Sequence, residues 1–201
     1  MNKFIKTCIA LFIAMNLCGI GVAIFVQANL GSDTITVIEE GISKTFLISL
    51  GNASRLFNIF FLIIALFIAR EYIGWCTIAY GLLVGSFIDF YDQLLLSYHI
   101  AEMNVFIRIL LIIIGQLFIV LTFAILIKYR NGMNQIDAVS YGLEKYTSIS
   151  YKTIRTGFDV LFIVVGWLLG GVVGIGSIFT MLTTGIGIDM CLKILGGNNC
   201  E

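Results

Sequence analysis

Three long stretches without a charged side chain constrain this chain more than any other feature: residues 8–27, 109–127 and 160–188. A helix needs about 20 apolar residues to cross a bilayer, so each stretch can supply at least one crossing. Of the 201 residues, 59% are hydrophobic and 12% are charged, against roughly 25% charged residues in a soluble domain. The sequence therefore predicts an all-α polytopic membrane protein surrounded by membrane lipid. The formal net charge of zero gives no reason to expect a nucleic-acid partner.

An internal duplication is the second constraint. The pentapeptides GSFID (85–89) and GIGID (185–189) lie 100 residues apart. An offset of 101 places eight residues of the first half on identical residues of the second: Gly31, Ile35, Gly41, Lys44, Ile48, Ser49, Phe57 and Phe61. The register holds over nearly the whole chain, which predicts a single membrane domain over residues 1–201 with repeats at about 4–96 and 105–196.

Both repeats share one plan of a long helix, a polar segment and a helical hairpin. The predicted bounds are about 5–27 and 106–128 for the long helices, and 54–70 with 74–96 and 154–171 with 175–195 for the hairpins. Each repeat would cross the membrane three times. Because three is an odd number, the second repeat starts on the opposite side and is inverted relative to the first. With a cytoplasmic N-terminus, nine Lys and Arg residues fall inside and three outside. This distribution predicts six transmembrane helices as two inverted three-helix repeats, with both termini cytoplasmic. Parallel halves remain the alternative if the polar segments cross fully.

The polar segment after each long helix is amphipathic. One helical face carries Ile35, Ile38, Ile42 and Phe46 in the first segment and Ile136, Val139, Leu143 and Tyr146 in the second. Ser32, Asp33 and Asn134 precede these faces and are suitable N-caps. Two interpretations stay open. Each segment is either an amphipathic helix in the membrane interface or a re-entrant half-helix whose N-terminus points its dipole at a substrate.

Asp89 and Asp189 each end an apolar run within a predicted helix and are the first candidates for a site. A carboxylate near the centre of a membrane helix costs about 2.5–3.5 kcal/mol, so each should face the bundle interior with a partner. Inversion sends the two residues to opposite sides of the midplane. They either form structural ion pairs with Arg55 and Arg155 or bind a passing ion or solute.

Further polar residues inside the predicted helices are candidates of the same kind. Asp159 lies four residues after Arg155 and should pair with it, and its first-half counterpart is Asn58. Asn16 and Gln116 sit mid-helix, where they either hydrogen-bond across the bundle or contact a ligand. The polar segments add Glu39–Glu40, either a solvated acidic face or a cation-attracting vestibule, and Asp137, a first-turn helix acid.

Three features resemble the YczE/YyaS/YitT-type family of bacterial integral membrane proteins: Ala28-Asn29-Leu30-Gly31 with the segment that follows, the two Gly-x-x-x-Asp patterns, and the glycine-rich run 166–176. Members typically carry A-N-L-G-x-x-P-x-D in each half. Thr34 and Gln135 stand at the proline positions, and the second half keeps Asp137 but has residues 129–132 in place of A-N-L-G. The resemblance implies a multi-helix fold in the bacterial inner membrane, hints at transport, and adds Asn29 and Thr34 to the ligand-binding candidates.

Enzyme chemistry has little support in the sequence. His99 is the only histidine, and no HExxH, GxSxG or Walker A pattern occurs, so no catalytic residue, metal site or cofactor is expected. The leading hypothesis is a secondary transporter or facilitator for a small molecule or ion, with a midplane site between inverted repeats. A substrate-capture subunit serving a separate ATPase module and a non-transporting interaction or regulatory protein remain alternatives. Gly81–Gly85 and Gly166–Gly170 indicate tight helix contacts, within one subunit or in a homodimer.

Overall fold

The computed structural model describes residues 3–129 and 134–194, and all regular structure in these ranges is helical. Its eight α-helices are α1 (Lys3–Ala28), α2 (Thr34–Phe46), α3 (Leu50–Ile68), α4 (Trp75–Leu96), α5 (Val105–Tyr129), α6 (Gln135–Tyr146), α7 (Tyr151–Leu168) and α8 (Ile175–Ile194). Short 3₁₀ turns at Arg70–Tyr72 and Ile100–Glu102 precede α4 and α5. The helices expected from the apolar runs are therefore all present, and α2 and α6 are the two amphipathic segments.

Four of the described helices are long and apolar enough to cross a membrane: Phe4–Ala28, Leu50–Ile68, Val105–Lys128 and Ile175–Ile194. The chain is an integral membrane protein. The sequence predicted six crossings; those of α4 and α7 stay predictions.

The starts of α3 and α7 differ most from the predicted bounds. Ser49 adopts an extended conformation and its hydroxyl accepts a hydrogen bond from Asn52 N, so α3 begins at Leu50 rather than near residue 54. Ser150 occupies the equivalent position before α7, which begins at Tyr151. Serine is a preferred N-cap because its side chain can satisfy a helix-start N–H, as Ser49 does for α3. Ser150 has the same extended backbone but makes no side-chain cap hydrogen bond.

The first packing layer consists of α1 between α4 and α5. The Phe4 ring lies 5.4 Å from that of Trp75, and near the other end Gln27 Nε2 donates to Asp92 Oδ1, so α1 and α4 run in the same direction. Arg108, at the start of α5, donates to the Ala28 carbonyl, so α5 runs the opposite way. The side chains between these helices are almost all apolar and form one continuous core.

The second layer pairs α2 with α7 and α6 with α3. Thr34 bonds Asp159 at the start of α2, and Lys44 Nζ donates to the Gly170 carbonyl at its end, so α2 and α7 run side by side. A cluster of phenylalanine rings holds α3 and α7 together, with Phe57 and Phe162 5.2 Å apart. The short helices are thus enclosed by longer ones on several sides.

The two hairpins differ. In the first, α3 packs along α4, and a Cβ added to Gly85 would collide with the Gly51 carbonyl. In the second, α7 and α8 follow each other through a short turn but hardly touch, and a Cβ built on Gly185 would meet no described atom of another helix within 4 Å. The reason is that α7 is bonded to α2 and α6, whereas Gly176 N, in α8, donates to the Leu30 carbonyl and α8 packs on α5.

Candidate functional site

A small cavity of about 40 Å³ lies at the centre of the bundle, between helices α1 to α6. Its polar lining comprises Asp33, Thr36, Glu39, Ser54, Asn58 and Asn134, together with Cys18 and Tyr80. A cavity of this size holds a few water-sized groups. This space suits water or a small ion.

The two short helices begin at this cavity and lead to opposite ends of the bundle. In the last turn of α2, Lys44 donates a hydrogen bond to the Gly170 carbonyl, in the turn after α7. The last turn of α6 instead bonds Glu71, in the turn before α4, through Lys145 at 2.9 Å. Helices of 13 and 12 residues are about 20 Å and 18 Å long, too short to span a 30 Å hydrocarbon core.

Asparagine and aspartate caps hold the two helix starts at the cavity. Asp33 accepts hydrogen bonds from the backbone N–H groups of Ile35 and Thr36, at 3.2 and 3.4 Å, and from the Thr36 hydroxyl. Asn134 accepts one from Ile136 N at 3.3 Å. The predicted cap residues Asp33 and Asn134 are therefore confirmed. The positive ends of two helix dipoles face one buried space.

Buried polar atoms without a protein partner occur beside these caps. In residues 3–129 and 134–194, the buried side-chain oxygens that lack a hydrogen bond are Ser32 Oγ, Gln116 Oε1 and Gln135 Oε1. Ser32 precedes Asp33 and Gln135 follows Asn134, so two of the three flank the half-helix starts. Unpaired buried oxygens are costly and rare, and they commonly mark a site for water or a ligand.

Glu39 is the acid at the cavity whose negative charge has the fewest hydrogen-bond donors around it. It is 3% exposed, and Oε1 accepts a hydrogen bond from Ser54 Oγ at 2.8 Å. Asn58 Nδ2 in turn donates to Ser54 Oγ at 3.2 Å. No lysine or arginine is among the described residues that line the cavity. The carboxylate therefore faces neutral amide and hydroxyl groups rather than a basic partner.

Glu40 lies beside Glu39 but points elsewhere. Its Oε2 accepts a hydrogen bond from Val172 N at 2.8 Å, in the turn between α7 and α8, and it does not line the cavity. Both glutamates are buried, at 3% and 4% exposure. The solvated acidic face considered from the sequence is thus wrong, because α3 and α7 cover α2 on the sides that carry these two residues.

The second half holds its acids differently. Arg155 Nη1 lies 2.6 Å from Asp159 Oδ1, the contact that their four-residue spacing predicts, and Arg155 Nε lies 3.3 Å from Asp137 Oδ1. Asp159 also accepts a hydrogen bond from Thr34 Oγ1, which joins this triad to the first turn of α2. Asp137 is in the first turn of α6, as predicted, and accepts a further hydrogen bond from the Tyr151 hydroxyl.

The predicted Asp89–Arg55 ion pair does not form. Asp89 instead caps the start of α3, accepting hydrogen bonds from Gly51 N at 2.7 Å and Ser49 Oγ at 2.9 Å. Arg55 donates to Asn52 and Ser86. The close approach at Gly51 and Gly85 brings unsatisfied helix-start N–H groups nearer to Asp89 than the guanidinium. Neither Asp89 nor Arg55 lines the cavity, and the Asp189 side chain lies outside the described part of the chain.

The remaining candidates connect helices. Asn16 Oδ1 accepts from the Tyr91 hydroxyl, and Gln116 Nε2 donates to Thr183 and Thr184 of α8. Asn29 adopts a left-handed conformation after α1, with φ of 49°, and its carbonyl accepts from Arg108. None of these side chains is part of the cavity lining.

Of the ligand candidates named from the sequence, Glu39 and Asn58 line the cavity, whereas Thr34, Asp137 and Asp159 do not. The sequence analysis missed Ser54, Cys18 and Tyr80; the Tyr80 hydroxyl donates to Cys18 Sγ at 3.1 Å. Ser54 could have been named from the sequence, because the 101-residue offset aligns it with Arg155, which was already a candidate.

Comparison with known proteins places the chain in a family. The profile of the family of unknown function DUF6198 matches residues 5–193. An uncharacterized protein of Haemophilus influenzae is 24% identical over 190 residues, covering 94% of this chain and 85% of that protein. No solved structure matches the chain. The match over nearly the full length shows that the chain belongs to the DUF6198 family.

Proposed function

We propose that this protein is a secondary transporter or facilitator for a small molecule or ion, and that its site is the central cavity. The observation that carries the proposal is the meeting of two half-length helices at one buried polar space. Irregular backbone at membrane depth is stable only where it is buried in protein or lines a cavity, and transporters use such broken helices to bind substrates and coupling ions.

The proposal includes six crossings arranged as two inverted repeats. Pairing α1 with α5, α2 with α6, α3 with α7 and α4 with α8 follows the sequence register, and the opposite directions of α2 and α6 agree with inversion. The Lys and Arg distribution favours cytoplasmic termini, and the resemblance to the YczE/YyaS/YitT-type family favours the bacterial inner membrane. In this arrangement the cavity lies near the midplane.

Transport would require the cavity to open alternately to each side. The α2 end of the path is closed by its contacts with α7 and the following turn, including the 2.9 Å bond from Lys44 to Gly170. At the α6 end, Lys145 Nζ donates to Glu71 Oε1 at 2.9 Å, a contact between the two repeats. Rocking of one repeat against the other would break one set of contacts at a time.

Purified protein reconstituted in proteoliposomes on a solid-supported membrane tests this function. Concentration jumps of alkali cations, amines, amino acids, organic acids and sugars should give a saturable current for at least one class. Glu39→Gln should abolish that current, whereas Glu40→Gln, a change to an adjacent buried acid away from the cavity, should keep it. Background current for every class would contradict electrogenic transport by this chain alone, and co-purification of an ATPase would then favour a capture subunit.

A further inference from the structure

We propose that Glu39 is the proton-binding group of the central cavity, taking up and releasing one proton as the cavity exchanges with solvent. Its use in transport rests on the proposed function, whereas the protonation itself does not.

The charges around Glu39 leave its carboxylate unbalanced. The titratable groups that face it are one acid, one thiol and one phenol: Asp33, the N-cap of its own helix α2, Cys18 on α1 and Tyr80 on α4. The helix packed on its other side, α3, offers neutral Ser54 and Asn58, and α6 offers neutral Asn134. On α7, the acid Asp159 is already paired with Arg155.

The hydrogen bonds of Glu39 indicate where the proton resides. Within the described ranges, Glu39 accepts one hydrogen bond, at Oε1 from Ser54. Its other oxygen, Oε2, belongs to a side chain that is 97% buried yet lines the cavity. A buried carboxylate with one neutral donor is strongly disfavoured, and such groups become neutral by taking up a proton. Oε2 is the free position for it.

The neighbouring acids do not share this situation. Asp33 receives two backbone N–H groups and a hydroxyl at the positive end of α2, which stabilises its anion. Glu40 receives Val172 N and lies on the same helix as Lys44, one turn away. Glu39 is therefore the acid at this cavity whose neutralisation costs the fewest existing interactions.

The proton step needs no further reactant. A hydronium ion in the open cavity transfers its proton to Oε2, leaving water, and the carboxylate becomes a neutral carboxylic acid. Release reverses the step, with the proton returning to water on the other side. Each site thus moves one proton and one unit of charge between its two states.

Infrared difference spectroscopy of the protein in lipid bilayers, recorded between alkaline and acidic buffer, tests the proposal without requiring a known solute. Wild type should show the C=O stretch of a buried protonated carboxyl, with a loss of that band in Glu39→Gln and its retention in Glu40→Gln. Ser54→Ala, which keeps the carboxyl but removes its hydrogen bond, should shift the same band. This variant identifies Glu39 even if Glu39→Gln fails to fold.

Two results would overturn the inference. An identical band in wild type and Glu39→Gln would assign the proton to another group. A Glu39 signal that responds to added Na⁺ at constant pH, and not to pH, would assign the site to an alkali cation. Background currents in the solute screen would leave the spectroscopic result intact, so failure of the function and failure of the protonation are distinguishable.

Discussion

The α3 and α7 helices carry equivalent polar positions but hold acids in opposite ways. Ser54 and Asn58 of α3 fall on Arg155 and Asp159 of α7 at an offset of 101. In the second half the arginine lies between two carboxylates, whereas in the first half a hydroxyl and an amide face Glu39. The duplicated framework therefore contains one charge-balanced link between helices and one acid without a basic partner, and we assign the binding role to the latter.

The α4 and α8 helices give a second contrast. Both contain the Gly-x-x-x-Asp pattern, but Gly85 is pressed against α3, while Gly185 has open space beside it. Sequence identity at a position thus does not imply the same packing, because α8 is held by α5 rather than by its hairpin partner. The predictions below change one half at a time.

The largest effect is expected from Gly85→Ala. The added methyl would collide with the Gly51 carbonyl, and relief requires α3 and α4 to separate, at a cost of about 3 kcal/mol in the free energy of unfolding. Gly185→Ala is the matched control, and it should be neutral or stabilising by up to about 1 kcal/mol, because alanine favours helix more than glycine does. Thermal or SDS unfolding of purified protein measures both; equal destabilisation would contradict the difference between the hairpins.

Arg155→Met should have the next largest effect. It leaves Asp137 and Asp159 side by side without their cation, and since the Arg155 side chain is 22% exposed we expect a loss of about 2 kcal/mol, below that of a fully buried pair. Ser54→Ala at the equivalent position removes two hydrogen bonds, one donated to Glu39 and one accepted from Asn58, and should cost about 1–2 kcal/mol. Adding Asp137→Asn and Asp159→Asn to Arg155→Met should restore much of the stability; no recovery would mean that the triad is not held by charge.

Asp89→Ala should have the smallest effect on stability. It removes the cap on the start of α3 and should cost about 1 kcal/mol, the usual value for an N-cap side chain. Any current found in the solute screen should survive at normal amplitude per folded protein. Loss of current without loss of stability would instead return Asp89 to the transport path, as the sequence alone suggested.

Much of the fold follows from the sequence because local signals are strong here. The apolar runs located the long helices, and Asp33 and Asn134 marked the starts of α2 and α6. The spacing of Arg155 and Asp159 predicted their ion pair, which depends on helix geometry alone.

The site was harder to predict because it depends on contacts between distant segments. The sequence favoured a solvated acidic face for Glu39 and Glu40, and only the packing of α3 and α7 around α2 shows that both are buried. An ion pair between Asp89 and Arg55 was one of two alternatives because opposite charges attract, but Asp89 bonds the start of α3 instead. Neither the burial of Glu39 nor the approach of the α3 start to Asp89 can be read from the neighbouring sequence.

The thiol of Cys18 offers the most direct test that the cavity opens to solvent. The measurement is the alkylation rate of Cys18 by N-ethylmaleimide in reconstituted membranes, in a variant whose other four cysteines are alanine. Because Cys18 lines the cavity at 8% exposure, alternating access should give slow but complete labelling of folded protein, a rate altered by Glu39→Gln, and loss of current on modification. Labelling of Cys18 only after denaturation would contradict a transport site at this cavity.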